Sequence, residues 1–177
     1  MSPIEYFWII IALLFGIVGI IRTYPRELGV TTMCVVALLL LLEFGAKIIG
    51  RLQNRFGADF EVLMSPRFEA GFYVGVFLFI IYISYQGITL TFKGTPPKGI
   101  GTSLISFIVG LLNGYLITGT VWFYLHRFHY PFGSVDESEL SEAARRIIQY
   151  LPPKIFGPQP AYLLGLLLLL LILSVWR

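Results

Sequence analysis

The chain has 177 residues, 56% of them hydrophobic and only 13% charged, with a mean hydropathy of +0.80 and a formal net charge of +3. Charged residues make up about 25% of an average soluble domain, so this composition excludes an ordinary water-soluble core. The modest charge, with no basic stripe on a polar fold, gives nucleic acid no footing. The single cysteine, Cys34, lies inside an apolar run, which rules out a disulfide framework within one chain and leaves a thiol that behaves as a small hydrophobe.

About 20 mostly apolar residues cross the ~30 Å hydrocarbon core as a helix. The first stretch that qualifies is Ile4–Ile21, with Tyr6 and Trp8 at one interface. It lacks a basic leading segment and a small-residue cleavage pattern, so it is expected to be a retained helix rather than a signal peptide. Arg22-Thr23-Tyr24-Pro25-Arg26-Glu27 follows. Pro25 is predicted to stop the first helix, with Arg22 and Arg26 holding the turn in the headgroups. Leu28–Ile49 is the second helix, so the first two should form an antiparallel hairpin.

Gly50–Glu69, with Arg51, Arg55, Asp59, Glu61 and Arg67, reads as a polar connector. Ala70–Leu90 is the third helix and is rich in aromatics. Thr91–Gly99 is a loop with Lys93 and Lys98, in which Pro96-Pro97 prevents helix continuation. Ile100–Leu125 is the fourth helix, and His126–Pro160 the longest non-spanning segment. Ala161–Trp176 is the fifth helix, bounded by Tyr162 and by Trp176-Arg177. It rises only ~24 Å, and its leucine run, broken by Gly165 and Ser174, is expected to face lipid or an apolar partner.

The expected fold is therefore all-α, a polytopic membrane protein with five transmembrane helices. Residues 1–151 form a four-helix unit, and residues 152–177 a Pro-rich linker with an additional C-terminal helix. Five spans put the termini on opposite sides. Lys47, Arg51, Arg55, Arg67, Arg127, Arg145, Arg146 and Lys154 fall on one side; Arg22, Arg26, Lys93, Lys98 and Arg177 fall on the other. The larger basic count puts the longer connectors in the cytoplasm, whereas Arg22 and Arg26 beside the first helix argue for the opposite, so the orientation stays open.

Within the longest connector, Asp136 and Glu139 have the spacing of an N-cap and its acidic N3 partner. Leu140, Ala144, Ile147, Ile148 and Leu151 then fall on one helical face, and Glu142, Arg145, Arg146 and Gln149 on the other. Pro152-Pro153 ends the segment. It is too short and too charged to span, so it is expected to lie in the interface plane or to pack on the end of the protein itself.

Few residues carry chemistry. Glu43 and Lys47 have the favourable i, i+4 order of a helical ion pair; ionisable groups inside a span point to function, but these two lie near a helix end, where Lys47 can snorkel to the headgroups. His126 and His129 are three apart, yet no acid or cysteine nearby completes a metal set and Arg127 lies between them. No triad, phosphate-cradling loop or HExxH pattern is present, so no catalytic residue, metal or cofactor is expected. The candidates that remain are sites of contact. Gly71 and Gly75 in the third helix, and Gly110 and Gly114 in the fourth, have the spacing that lets membrane helices approach closely. Asn113 and Gln86, with Ser84, Ser103 and Ser106, are candidates for interhelical hydrogen bonds. Gly75, Phe79, Tyr82 and Gln86 share one face.

The first hairpin, Gly19-Ile20-Ile21-Arg22-Thr23-Tyr24-Pro25-Arg26-Glu27-Leu28-Gly29, resembles the colicin V production protein family of bacterial inner-membrane proteins: an apolar helix, an Ile-Arg turn ending in Arg-Glu-Leu, and a second helix. That family usually has glycine after the first arginine, where this chain has Thr23. Gly110-Leu111-Leu112-Asn113-Gly114 resembles the family's glycine-rich fourth helix, with Asn113 where arginine is common, and the family's Asp-Arg before that helix is missing. The resemblance covers roughly residues 4–151. It implies a non-enzymatic protein of the bacterial inner (plasma) membrane, linked to peptide-toxin secretion and envelope maintenance, with the lipid bilayer and other membrane proteins as its partners. Two other functions fit the residues: an accessory subunit of a large respiratory or photosynthetic complex, or a small transporter or channel resting on Glu43, Lys47, Gln86 and Asn113.

Overall fold

The computed structural model describes residues 3–56, 65–87, 99–133, 135 and 140–175, and every regular element among them is helical. Helix α1 spans Pro3–Arg22 and α2 spans Tyr24–Leu40; α2 runs through a π-helical turn, Leu41–Gly45, into α3, Ala46–Phe56. Then come α4 (Pro66–Gln86), α5 (Ile100–Arg127), α6 (Glu142–Ile148), α7 (Pro152–Phe156) and α8 (Ala161–Val175). Among the described residues, four helical stretches are long and apolar enough to cross a membrane: Ile4–Arg22, Tyr24–Phe56, Pro66–Gln86 and Ile100–Arg127. That is the architecture of a multi-pass membrane protein. Helix α8 follows the expected short fifth run from Ala161 as far as Val175; it is apolar but shorter than the four long stretches.

Several boundaries move, each for a local reason. Pro25 does not stop the first helix. It lies in the first turn of α2, where a missing N–H costs nothing. The break is the single residue Thr23, with φ 71° and ψ 149°. The second helix continues past Ile49 to Phe56, so part of the expected connector is helix. Helix α4 begins at Pro66, not Ala70, because Ser65 caps it by accepting from the Phe68 N–H. It ends at Gln86 rather than Leu90, with Gly87 in extended backbone; the Lys93 and Lys98 loop, Asp59, Glu61 and the Trp176-Arg177 anchor lie outside the described residues.

Helix α5 is the centre of the bundle. Helix α1 lies along it over most of its length, and α2 and α4 pack on it and on each other. The end carrying the α1–α2 break is here the turn end; the opposite end, with the start of α1 and helix α6, is the loop end. The main core joins Val30, Cys34, Val35 and Leu38 of α2 to Tyr73, Phe77 and Ile81 of α4 and Leu116, Ile117 and Tyr124 of α5, and takes in Leu163 and Leu170 of α8. The outer faces of α1 and α8 leave large aliphatic side chains exposed.

The amphipathic segment becomes α6, but it starts later than expected. Ser141, not Asp136, caps it by accepting from the Ala144 N–H; Asp136 and Glu139 lie outside the described residues. Its apolar face (Leu140, Ala144, Ile148, Leu151) packs on Trp122 and Tyr130, against Ile4 and Trp8. The helix thus packs on the end of its own bundle, one of the two expected placements. Helix α7 then presses Pro152 onto Gly119 of α5.

The α1–α5 crossing depends on glycine. A Cβ on Gly110 would lie 2.9 Å from Gly19 Cα and run into the Phe15 carbonyl, and one on Gly114 would lie 2.8 Å from Ala12 Cα. Gly71 and Gly75 make no such approach. Both are exposed on the outward face of α4, where a Cβ would meet nothing within 4 Å. Gly110→Ala should therefore destabilise the protein by about 1–3 kcal/mol, the usual cost of overpacking. Gly75→Ala should be neutral or slightly stabilising, since alanine is the better helix former. Unfolding in mixed micelles checks the contrast, and equal effects would refute it.

Candidate functional site

The break at Thr23 brings the polar residues of the hairpin into the bundle. With only one residue between the helices, Glu27 falls in the first turn of α2 and its carboxylate is wholly buried against α4 and α5. Burying a charge without compensation is very costly, and here each oxygen has donors. Arg22 Nε donates to Glu27 Oε1 at 2.9 Å. Asn113 Nδ2, from α5, donates to Oε2 at 2.8 Å, and Tyr85 Oη, from α4, donates to the same oxygen at 3.2 Å. Asn113 also donates to the Glu27 carbonyl at 2.9 Å. Thr31 Oγ1 completes the set by donating to Asn113 Oδ1 at 2.7 Å.

Arg22 closes the outer side. Its guanidinium lies 4.7 Å from the Tyr85 ring centre and donates to the Tyr85 carbonyl at 3.2 Å. Its side chain keeps 26% of its surface exposed while that of Glu27 keeps none. The pair is therefore wet on one side only, an arrangement that suits arginine with its fixed fork of donors. Beside it, Ser106 Oγ of α5 accepts from the Tyr24 N–H at 3.0 Å, satisfying one of the unpaired donors at the start of α2. Four helices thus meet in one hydrogen-bonded cluster at the turn end.

This geometry assembles Arg22, Glu27 and Asn113, which are far apart in sequence. Gly110 and Gly114 lie on the same stretch of α5 and bring α1 up to it. Arg26 is exposed and takes no part. Glu43 and Lys47 form a 3.6 Å pair on the outer surface near the loop end. Gln86 is exposed at the end of α4. The four residues that would mark a polar path, Glu43, Lys47, Gln86 and Asn113, are therefore not brought together. Tyr85 and Thr31 were missed from the sequence, as was the burial of Glu27. The signal was there, since Thr31 lies four residues after Glu27 and on its face.

A second buried acid, Glu5 of α1, receives the hydroxyl of Ser141 at the loop end. Nearby, Trp122 donates to Tyr130 Oη at 2.9 Å. His126 packs its ring on Tyr130, and His129 is exposed. Among the described residues, no group of three or more His, Cys, Asp or Glu could hold a metal ion.

Comparison with protein families, with curated proteins and with solved structures finds no match.

The cluster can fix the helices, since its donors and acceptors come from all four of them. Two variants test this. Asn113→Ala removes two donors to Glu27 and should cost about 1.5–3 kcal/mol, the range for hydrogen bonds to charged groups, rather than the ~0.6 kcal/mol average for hydrogen bonds between membrane helices. Thr23→Gly should stabilise by about 1 kcal/mol, because its backbone lies where side chains are strained and the glycine entropy cost offsets only part of the gain. Reversible unfolding in bicelles measures both, and a neutral Asn113→Ala or a destabilising Thr23→Gly would contradict the geometry.

Proposed function

We propose that the chain is a non-enzymatic bacterial inner-membrane protein resembling the colicin V production family, acting through helix contacts in secretion or as a scaffold of the envelope. The observation that carries this reading is the convergence of the motif residues. Arg22 and Glu27 of the hairpin motif meet Asn113, which lies inside the glycine-rich motif of the fourth helix and departs from the family's arginine, in one buried cluster.

The departures from the family also make physical sense there. Thr23 stands where the family usually has glycine, and its φ of 71° is the left-handed backbone that favours glycine. Asn113 stands where arginine is common, and it faces the Glu27 carboxylate that an arginine would pair with. Arg22, which the family motif shares, pairs with that carboxylate here.

An accessory-subunit role is supported by a different observation. Gly75, Phe79 and Tyr82 form an exposed stripe along α4, with Gly71 one turn before it, a surface on which another membrane helix fits closely. Gentle extraction followed by native gels and mass spectrometry tests this second reading, and a chain that migrates only alone removes it.

For the leading reading, deletion of the gene should alter peptide-toxin export or envelope sensitivity. The Gly75→Ala chain should restore the wild-type behaviour, and the Glu27→Ala chain should not. A deletion without effect on either trait would overturn the proposal.

A further inference from the structure

Helices α1 and α4 both pack on α5 but hardly touch each other. The space between them is a cleft of about 610 Å³, floored by Ile117 and Val121 of α5 and walled by Phe7 and Ile11 of α1 and Leu78 of α4. That volume lies within the roughly 300–1,000 Å³ of small-molecule sites. The turn end of the cleft is shut, because the ring of Phe15 meets that of Tyr85 at 5.9 Å beside the Arg22–Glu27 cluster. Toward the loop end it extends to Ile4 and Tyr130. From Ile4 to Phe15 the depth is ~16 Å at 1.5 Å per residue, close to half of a ~30 Å hydrocarbon core. It therefore matches a single leaflet.

One polar group in this lining stands out. The indole N–H of Trp8, near the open end, is buried and has no acceptor among the described residues. Its neighbour Trp122 donates to Tyr130, and the Thr118 hydroxyl in the same lining is committed to the Gly114 carbonyl at 2.6 Å. Buried tryptophan N–H groups normally find a partner. None of the residues lining the cleft is charged, so the site recognises an aliphatic chain with an accepting oxygen at its head and does not read headgroup charge.

We propose that the cleft seats one fatty-acyl chain of a glycerolipid from the leaflet at the loop end, with the ester carbonyl accepting from Trp8 and the adjoining part of the tail running along the cleft toward Phe15. The test uses the full chain, purified in mild detergent, washed with a more delipidating one, and examined by native mass spectrometry with lipid extraction. One glycerolipid should stay with each chain. Retention should fall in Leu78→Trp and Ile11→Trp, which fill the cleft from opposite walls. It should fall roughly fivefold in Trp8→Phe, the worth of one hydrogen bond. Leu168→Trp, which adds the same indole on the exposed face of α8, should retain the lipid. Thermal melting verifies folding, and if one filled variant fails to fold the other carries the test. The proposal is overturned if no lipid is retained, if filled and control variants retain it equally, if Trp8→Phe retains as much as the wild type, or if the retained molecule is a prenyl quinone or detergent.

Discussion

A carboxylate taken out of water must be matched by donors, and the turn end of this bundle is organised by that demand. Glu27 is wholly buried at the start of α2, and the groups that satisfy it come from α1, α4 and α5. Arg22 supplies the charge, while Asn113 and Tyr85 supply directed hydrogen bonds. Apolar packing in a bilayer drives helices together only weakly, since lipid tails are as apolar as leucine. A buried polar cluster is directional in a way that leucine contacts are not. It fixes which helices meet and at what register, and the close glycine contacts between α1 and α5 add the complementary shape.

The backbone and the cluster depend on each other. Only a one-residue break can place Arg22 at the end of one helix and Glu27 in the first turn of the next, close enough for a 2.9 Å contact. That break costs strain at Thr23, which the surrounding hydrogen bonds offset. The same closure leaves α1 and α4 joined at the turn end by Phe15, Tyr85 and Arg22 and separated toward the loop end, which is how the cleft between them arises. At the loop end, Ser141 both caps α6 and donates to the buried Glu5, so the start of α1 is tied to the amphipathic helix that covers it.

Much of this was legible in the chain. Apolar runs of spanning length located four long helices to within a few residues at most ends, because the hydrophobic signal is strong; the start at Pro66 and the end before Gly87 were not read, because the apolar run is offset from the helix by about one turn at both ends. The close-approach glycines on α5 followed from their spacing, yet the same spacing on α4 marks an outward face. Spacing says that glycines share a face but not which way the face points. Glu27 was noticed as part of a turn motif and not as a buried acid, because its burial depends on Tyr85 and Asn113, residues 58 and 86 positions away. Pro25 misled for a plain reason: proline both ends helices and begins them, and only the backbone of Thr23 decides which.

The central claim is that Glu27 and Asn113 act as one energetic unit that holds the hairpin to α5. A double-mutant cycle with Glu27→Ala and Asn113→Ala, read by reversible unfolding in bicelles, tests it most directly. A coupling of about 1 kcal/mol or more, within the range for residues in one hydrogen-bonded network, is the predicted result. Additive effects, with no coupling between the two positions, would contradict it.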